Sequence, residues 1–505
     1  MGSRAIRCGV ASLLVSLYCA SASSGDLYVS PAGTPQGDGS RARPLDVFTA
    51  LGKDSPAEPG DTIYLMGGTY EGKMTGTKRV AFALLVSGTE EQPIVVRPAP
   101  GETVHLNGAA ELKSSYAHYI GLEIGDLKYD PRGKTHQAPT VLWGTGGTGA
   151  KVINCNLFGG SMGTGLWSPA KDLTLYGCLV HDFGGIAQDR GHGHAFYTQN
   201  ETGTKTIEQC IAYRGCGWNL HVYTQGGQIN GFDILENIMY IAGAFVPDQT
   251  MDNYLVAGYP PADRIRLIGN VGYQPTDVQA WRPNARLGNF KAALNGAGEV
   301  KNNTFMGAFY GLSLGNWRKI EVTGNTLWST GIFTEISSAP TGSAIPPQPA
   351  PPALKGYTVD NNTYYDNGKP RPFNYGNTEK PDPENLLSFA QWQALGLDKN
   401  GKLLPGREGK PTGTQVFVFP NKYEKGRAHV GIFNWDGLRS VEVDLSKALA
   451  NGQKYRIYNC LDIRQTLALA KPVLTGAFDG AKVAFPMRRD RISPDFDAFL
   501  VLPGE

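Results

Sequence analysis

Ile153-Asn154-Cys155, Leu175-Tyr176-Gly177-Cys178 and Ile207-Glu208-Gln209-Cys210 are versions of one phrase: an apolar residue, then Gly, Asn or another polar residue, then Cys or Asn. The phrase returns as Leu235-Glu236-Asn237, Ile268-Gly269-Asn270, Lys301-Asn302-Asn303, Thr323-Gly324-Asn325 and Asp360-Asn361-Asn362, and Gly121-Leu122 opens the series. From Leu122 to Asn362 the steps are 33, 23, 32, 27, 33, 33, 22 and 37 residues. The minimum is constant and the excess varies. That is the pattern of a coil of three short strands and three bends, about 22 residues at the least, with the excess inserted as loop at one corner.

No helical periodicity fills the intervals, as alternating β and α units would require. The Leu framework of a leucine-rich horseshoe is absent, and a propeller blade needs about 40 to 45 residues. The chain therefore reads as all-β, a right-handed parallel β-helix. Equivalent residues of successive coils then stack about 4.8 Å apart. Cys155, Cys178, Cys210, Asn237, Asn270, Asn303, Asn325 and Asn362 should form one inward ladder in which amides hydrogen-bond along the stack and Cys serves as the small apolar substitute.

Composition agrees. The 505 residues include 65 Gly and 33 Pro, with 41% hydrophobic and only 18% charged residues, which suits short strands and turns and leaves too few charges for the surfaces of long helices. Arg4 and Arg7, the apolar run Cys8 to Ala20 and Ala20-Ser21-Ala22 read as a signal peptide over residues 1–22. Tyr18 before Cys19 fits a lipoprotein anchor poorly. Export to the periplasm or medium is expected, and no later stretch is apolar enough to span a membrane. Without the signal the chain carries 45 basic and 45 acidic residues, a balance that argues against nucleic-acid binding. The remaining cysteines, Cys155, Cys178, Cys210, Cys216 and Cys460, are odd in number and lack C-x-x-C spacing. A monomer is expected.

Outward from the ladder, Asp46 to Lys53 reads as a helical cap, followed by strands over 62–65, 83–86, 94–97 and 104–106. The expected division is a β-helix over 23–375, a linker with a short helix over 376–412 in which Ser388 caps Ser388 to Leu395, and a β-sandwich-like domain over 413–505. Leu27-Tyr28-Val29-Ser30-Pro31, Pro59-Gly60-Asp61-Thr62-Ile63-Tyr64-Leu65 with Gly68-Thr69-Tyr70, and Pro93-Ile94-Val95-Val96-Arg97 with Pro100-Gly101-Glu102 resemble the opening coils of secreted bacterial pectate-lyase-like β-helix proteins, a style shared with chondroitinase B and alginate lyases. The resemblance covers most of residues 26–370. It implies the fold and a glycan as partner; the superfamily holds lyases, hydrolases, epimerases and non-enzymes.

Strand parity marks an exposed face. With Leu220 and Val222 inward, His221, Tyr223 and Gln225 turn outward; with Phe196 inward, Tyr197 and Gln199 do the same. A strand over 290–295 with Ala292 and Leu294 inward would place Lys291 and Asn295 on that face, two coils beyond His221. Loops over 242–252 and 272–289 should wall it, bringing Asp252, Asp277, Trp281, Arg282 and Arg286. Aromatic rings suit sugar faces, and an Arg fork suits a uronate carboxylate.

His192 and His194 add a Gly-His-Gly triplet of the kind found in polygalacturonase-type hydrolases, without recognisable paired carboxylates before it. At i, i+2 they could hold a metal only with a third ligand that the sequence does not supply. Calcium stays open as a cofactor, although acidic clusters of the pectate lyase type are not evident. The expected activity is a polysaccharide lyase on a uronate-containing glycan by β-elimination. Arg282 or Arg286 would neutralise the carboxylate, Lys291 or His221 take the proton, and Tyr197 or Tyr223 protonate the leaving oxygen. Trp281, Gln199, Gln225, Asn295, Asp277, Asp252, His192 and His194 would bind substrate. The alternatives are a hydrolase using a carboxylate pair from Asp189, Asp252 and Asp277, or a non-catalytic glycan-binding surface protein.

Overall fold

In the computed structural model, the described residues are 25–504 apart from 74–79, 134–137, 188–189, 247–250, 257, 276–282, 289–293, 338–353, 377–382 and 489–490. Three sheets of twelve strands run the length of a parallel β-helix, each coil giving one strand to each sheet. One coil shows the plan: Lys151–Ile153 lies in the first sheet, Asn156–Gly160 in the third and Met162–Leu166 in the second. Ile153 pairs with Ile120 on one side and Tyr176 on the other.

The corner between the first and third sheets is two residues long, and its first residue is left-handed in every coil of the ladder: Asn154, Gly177, Gln209, Glu236, Gly269, Asn302, Gly324 and Asn361 have φ between 50° and 69°. Asn and Gly bear this conformation at least cost, which is why the repeated phrase favours them there. The next residue points inward. Nδ2 of Asn237 donates to Oδ1 of Asn270 at 2.9 Å, and the same bond repeats from Asn270 to Asn303, Asn303 to Asn325 and Asn325 to Asn362. Each Oδ1 also accepts the backbone N–H of the preceding coil's ladder residue, beginning with Cys210. The stack ends on Asp398, whose carboxylate takes Asn362 Nδ2 at 2.8 Å, Tyr364 Oη at 2.7 Å and Trp392 Nε1 at 3.0 Å. Cys155, Cys178 and Cys210 extend the ladder as buried free thiols.

Both ends of the coil are closed. Helix Val47–Leu51, capped by the Asp46 carboxylate, stacks Phe48 on Phe82 at 5.8 Å. At the other end helix Phe389–Ala394, opened by a Ser388–Gln391 capping box, lays Trp392 on Phe373 at 4.9 Å. The segment expected as a linker contributes to the coil, because Lys402–Leu404 pairs with Thr363–Tyr365 in the third sheet.

The C-terminal strands form an antiparallel sheet of five and another of two, as a separate domain around Val430, Ile432, Val441, Phe485 and Phe499. This domain covers the outer face of the third sheet. There Phe158, His181, Tyr213 and Tyr240 stack at 5.7, 5.0 and 5.6 Å. Tyr213 Oη donates to the Ile463 carbonyl, Phe496 packs on Tyr240 and Tyr273, and Trp435 packs on Trp328. No helix among the described residues is long and apolar enough to cross a membrane.

Candidate functional site

The outer face of the second sheet carries the chemistry. Its register stacks Glu111, Trp143, Gly165, Tyr197, His221, Leu255, Arg286, Ser313, Glu335 and Asn374 in one column. Phe196, Leu220 and Val222 are fully buried behind it, as the alternation of their strands requires. A second Asn ladder anchors these strands at the corner where they begin: Asn219 Nδ2 donates to Asn253 Oδ1 at 2.8 Å, and Asn253 Nδ2 to Asn284 Oδ1 at 3.0 Å.

His221 lies at the centre of an aromatic cluster. Its ring stacks between Tyr197 at 5.2 Å and Tyr223 at 4.6 Å, with Trp218 at 5.1 Å. Tyr197 is edge-on to Trp167 at 5.2 Å, and Trp167 lies 6.1 Å from Trp143, which extends the aromatic surface by two coils. Trp167 is held from below: the ammonium of buried Lys205 donates to the carbonyls of Leu166, Trp167 and Gln199 at 3.1, 2.7 and 2.8 Å, and burial pushes its pKa down to about 7. Gln199 is half-buried beside Trp167, and Gln225 is exposed next to Tyr223.

His221 Nδ1 and His194 Nε2 are 3.3 Å apart, so one ring donates to the other. Burial, then the neighbouring His194, Arg286 and Arg190 charges, holds His221 well below the ordinary histidine range. Burial, then Arg190 and His192, pushes His194 down to about 3. Both rings are neutral at pH 7. Burial first, and then Tyr223, raises Tyr197; burial first raises Tyr223 as well, so both phenols keep their protons. His194 Nδ1 and Trp218 Nε1 are buried without a hydrogen-bond partner among the described residues. Arg190 lies over the Trp218 ring at 5.0 Å, and His192 is half-buried in the short hairpin that pairs it with Gly185.

Two coils beyond His221, buried Arg286 donates through Nε to Asp252 Oδ2 at 3.0 Å, with Nη2 at 2.7 Å from the same oxygen. Farther along, buried Glu335 accepts from Ser313 Oγ at 2.6 Å and Asn374 Nδ2 at 2.9 Å. Thus Tyr197, His221, Tyr223 and His194 come together, with Arg286 and Asp252 on the same face as an ion pair.

Asn295 does not join them. The strand of this sheet two coils beyond His221 is Pro283–Leu287, within the stretch expected as a loop, and Asn295 instead opens a strand of the first sheet. It is 1% exposed, its Oδ1 accepts from Ala262 N and its Nδ2 donates to the Gly315 carbonyl. Leu294, expected inward, is 53% exposed. Lys291, Arg282, Trp281, Asp277 and Asp189 lie outside the described residues.

Trp143, Trp167, Trp218, Arg190 and Glu335 were missed by sequence reasoning. Registering Val141-Leu142-Trp143-Gly144 and Gly165-Leu166-Trp167 as strands of the same sheet would have found the first two. Among the described residues no three His, Cys, Asp or Glu side chains converge where a metal could sit. Calcium therefore finds no cluster of three carboxylates among them.

No family model matches the chain. A pectate disaccharide-lyase of Dickeya chrysanthemi is 30% identical over 117 residues, 23% of this chain and 14% of that protein; the match thus spans well under two thirds of that relative. Among solved structures, pectate lyase Pel9A is similar at TM-score 0.41 and 13% identity over 68% of this chain and 75% of its own. A glycoside hydrolase is similar at 0.41 and 11% over 74% of this chain and 100% of its own, and an alginate lyase from Paenibacillus sp. at 0.32 and 12% over 67% and 95%. The likenesses run to lyases and hydrolases alike.

Proposed function

We propose that this is an exported carbohydrate-active enzyme, a polysaccharide lyase that cleaves a uronate-containing glycan by β-elimination on the outer face of the second sheet. The stack of neutral His221 between two protonated tyrosines carries this reading. When His221 donates from Nδ1 to His194 Nε2, its own Nε2 keeps a lone pair and is a general base. His221 takes the C5 proton of the uronate, the C5–H electrons form the C4–C5 double bond, and the C4–O4 bond breaks. Tyr197 or Tyr223 gives its phenolic proton to the departing oxygen. Charge that builds on the uronate carboxylate is met by Arg190 at the Trp218 end of the cluster. Trp143 and Trp167 offer flat faces for neighbouring sugar rings.

A hydrolase needs two carboxylates about 5 to 10 Å apart. Among the described residues, Asp252 is engaged by Arg286, and Glu335 by Ser313 and Asn374, which leaves neither as an unengaged carboxylate and favours the lyase; Asp189 and Asp277 lie outside the described residues. Incubation with polygalacturonate, alginate and glycosaminoglycans tests the reading. Absorbance of unsaturated ends is expected on at least one; new reducing ends without that absorbance would replace the lyase by a hydrolase, and saturable binding without cleavage by a glycan-binding protein.

A further inference from the structure

A second groove, of about 1100 Å³, runs along the outer face of the first sheet, a different face of the coil from the aromatic cluster. Its wall is built by register. Ala297 pairs with Lys319, and Ile265, which follows Arg264, pairs with Gly298, the residue after Ala297. Asn230 and Phe232 pair with Asp263 and Ile265, so Gly231 lies opposite Arg264. Ile320 pairs with Tyr357, so Gly356 lies opposite Lys319. The column reads Gly231, Arg264, Ala297, Lys319, Gly356, with cations on alternate coils about 10 Å apart and notches of small residues between them. A Cβ on Gly231 would come within 3.2 Å of the Arg264 guanidinium.

The acids of the groove are already matched. Asp233 is held by Arg266 at 3.0 Å, while Glu299 and Glu321 share Lys301 at 3.4 and 2.8 Å. Arg264, Arg318, Lys319 and Lys355 are exposed and have no carboxylate partner among the described residues. A groove with four unspent cations and an exposed Leu294 on its wall suits an extended ligand carrying regularly spaced negative charge and apolar ring faces.

We infer that the first sheet carries a second binding groove for an anionic polysaccharide, which holds the polymer at a distance from the reacting unit. The inference rests on the reading of the protein as acting on a uronate glycan and adds a site apart from the aromatic cluster. Retardation of the full chain in gels containing polygalacturonate tests it by a readout of binding, made in the His221→Ala background so that the polymer stays intact. The R264Q/R318Q/K319Q/K355Q variant should bind at least about tenfold more weakly at low salt and lose most of the salt dependence. The charge-conserving R264K/K319R variant should bind like the parent, and a thermal melt establishes that both are folded. Parental binding by the quadruple variant, or retention of neutral dextran equal to that of polygalacturonate, would overturn the groove. Intact, salt-sensitive binding without cleavage of any glycan would fail the enzyme reading alone.

Discussion

Replacing Asn270 by Leu tests how far the ladder holds the coil together. Asn270 is fully buried; its Oδ1 takes both the backbone N–H and the Nδ2 of Asn237 at 2.9 Å, and its Nδ2 serves Asn303 Oδ1 and the Ile234 carbonyl, each at 2.9 Å. Leu fills similar space and makes none of these bonds. Asn237 keeps its bond to the Ile207 carbonyl at 2.8 Å, yet its backbone N–H is left buried and unpaired, at about 1 to 3 kcal/mol. The weakened acceptors at Ile234 and Asn303 add about 0.5 to 1.5 kcal/mol each, and the apolar side chain returns about 1 kcal/mol. The balance is a loss of about 1 to 5 kcal/mol, with its middle at about 3. Cys178→Ala removes one atom and weak S–H contacts to the Val152 and Tyr176 carbonyls at 3.4 and 3.5 Å, and should cost about 1 kcal/mol. Urea unfolding followed by tryptophan fluorescence and circular dichroism gives both midpoints. A Cys178→Ala midpoint at or below that of Asn270→Leu would refute the account of a coupled amide ladder.

Asp398→Leu strips the ladder of its terminal acceptor and leaves Asn362, Tyr364 and Trp392 facing an apolar residue; we expect a loss of about 3 kcal/mol or more in the same unfolding assay. Trp167→Ala should raise KM severalfold while changing kcat little in steady-state kinetics, since the ring lies beside the cluster and moves no proton. Burial lowers the folded pKa of His221 and His194, so the unfolded chain takes up their protons first as the pH falls. Their contribution to stability is complete above about 6.5 and declines toward the value of about 3 held by His194. The acid limb of kcat/KM should likewise fall below the ordinary histidine range, and a limb at 6.5 or above in the pH–rate profile would contradict a depressed His221.

The ladder was legible in the sequence because its corner admits few residues: a left-handed position followed by an inward side chain that must bond to its own copies. The outward placement of Tyr197, His221 and Tyr223 was legible for a similar reason, since buried Phe196, Leu220 and Val222 fix the parity of their strands. Arg286 was placed in a loop because Pro283-Asn284-Ala285-Arg286-Leu287 begins with Pro, which does not mark a strand, although here it starts one. That shift of one strand carried Asn295 from the site face to a structural role in the first sheet. Trp218 was overlooked because it precedes the alternating run, at the corner where alternation does not yet apply. The Arg286–Asp252 pair is a contact between coils, and single-strand parity carries no information about it.

The central claim is that His221 moves a proton on a uronate glycan. It is tested most directly by the rate at which unsaturated ends accumulate from an accepted acidic polysaccharide, measured for the parent and His221→Ala at equal concentrations of folded protein. The account predicts a loss of at least about a hundredfold, the scale of a missing general base. Full activity in His221→Ala would contradict it.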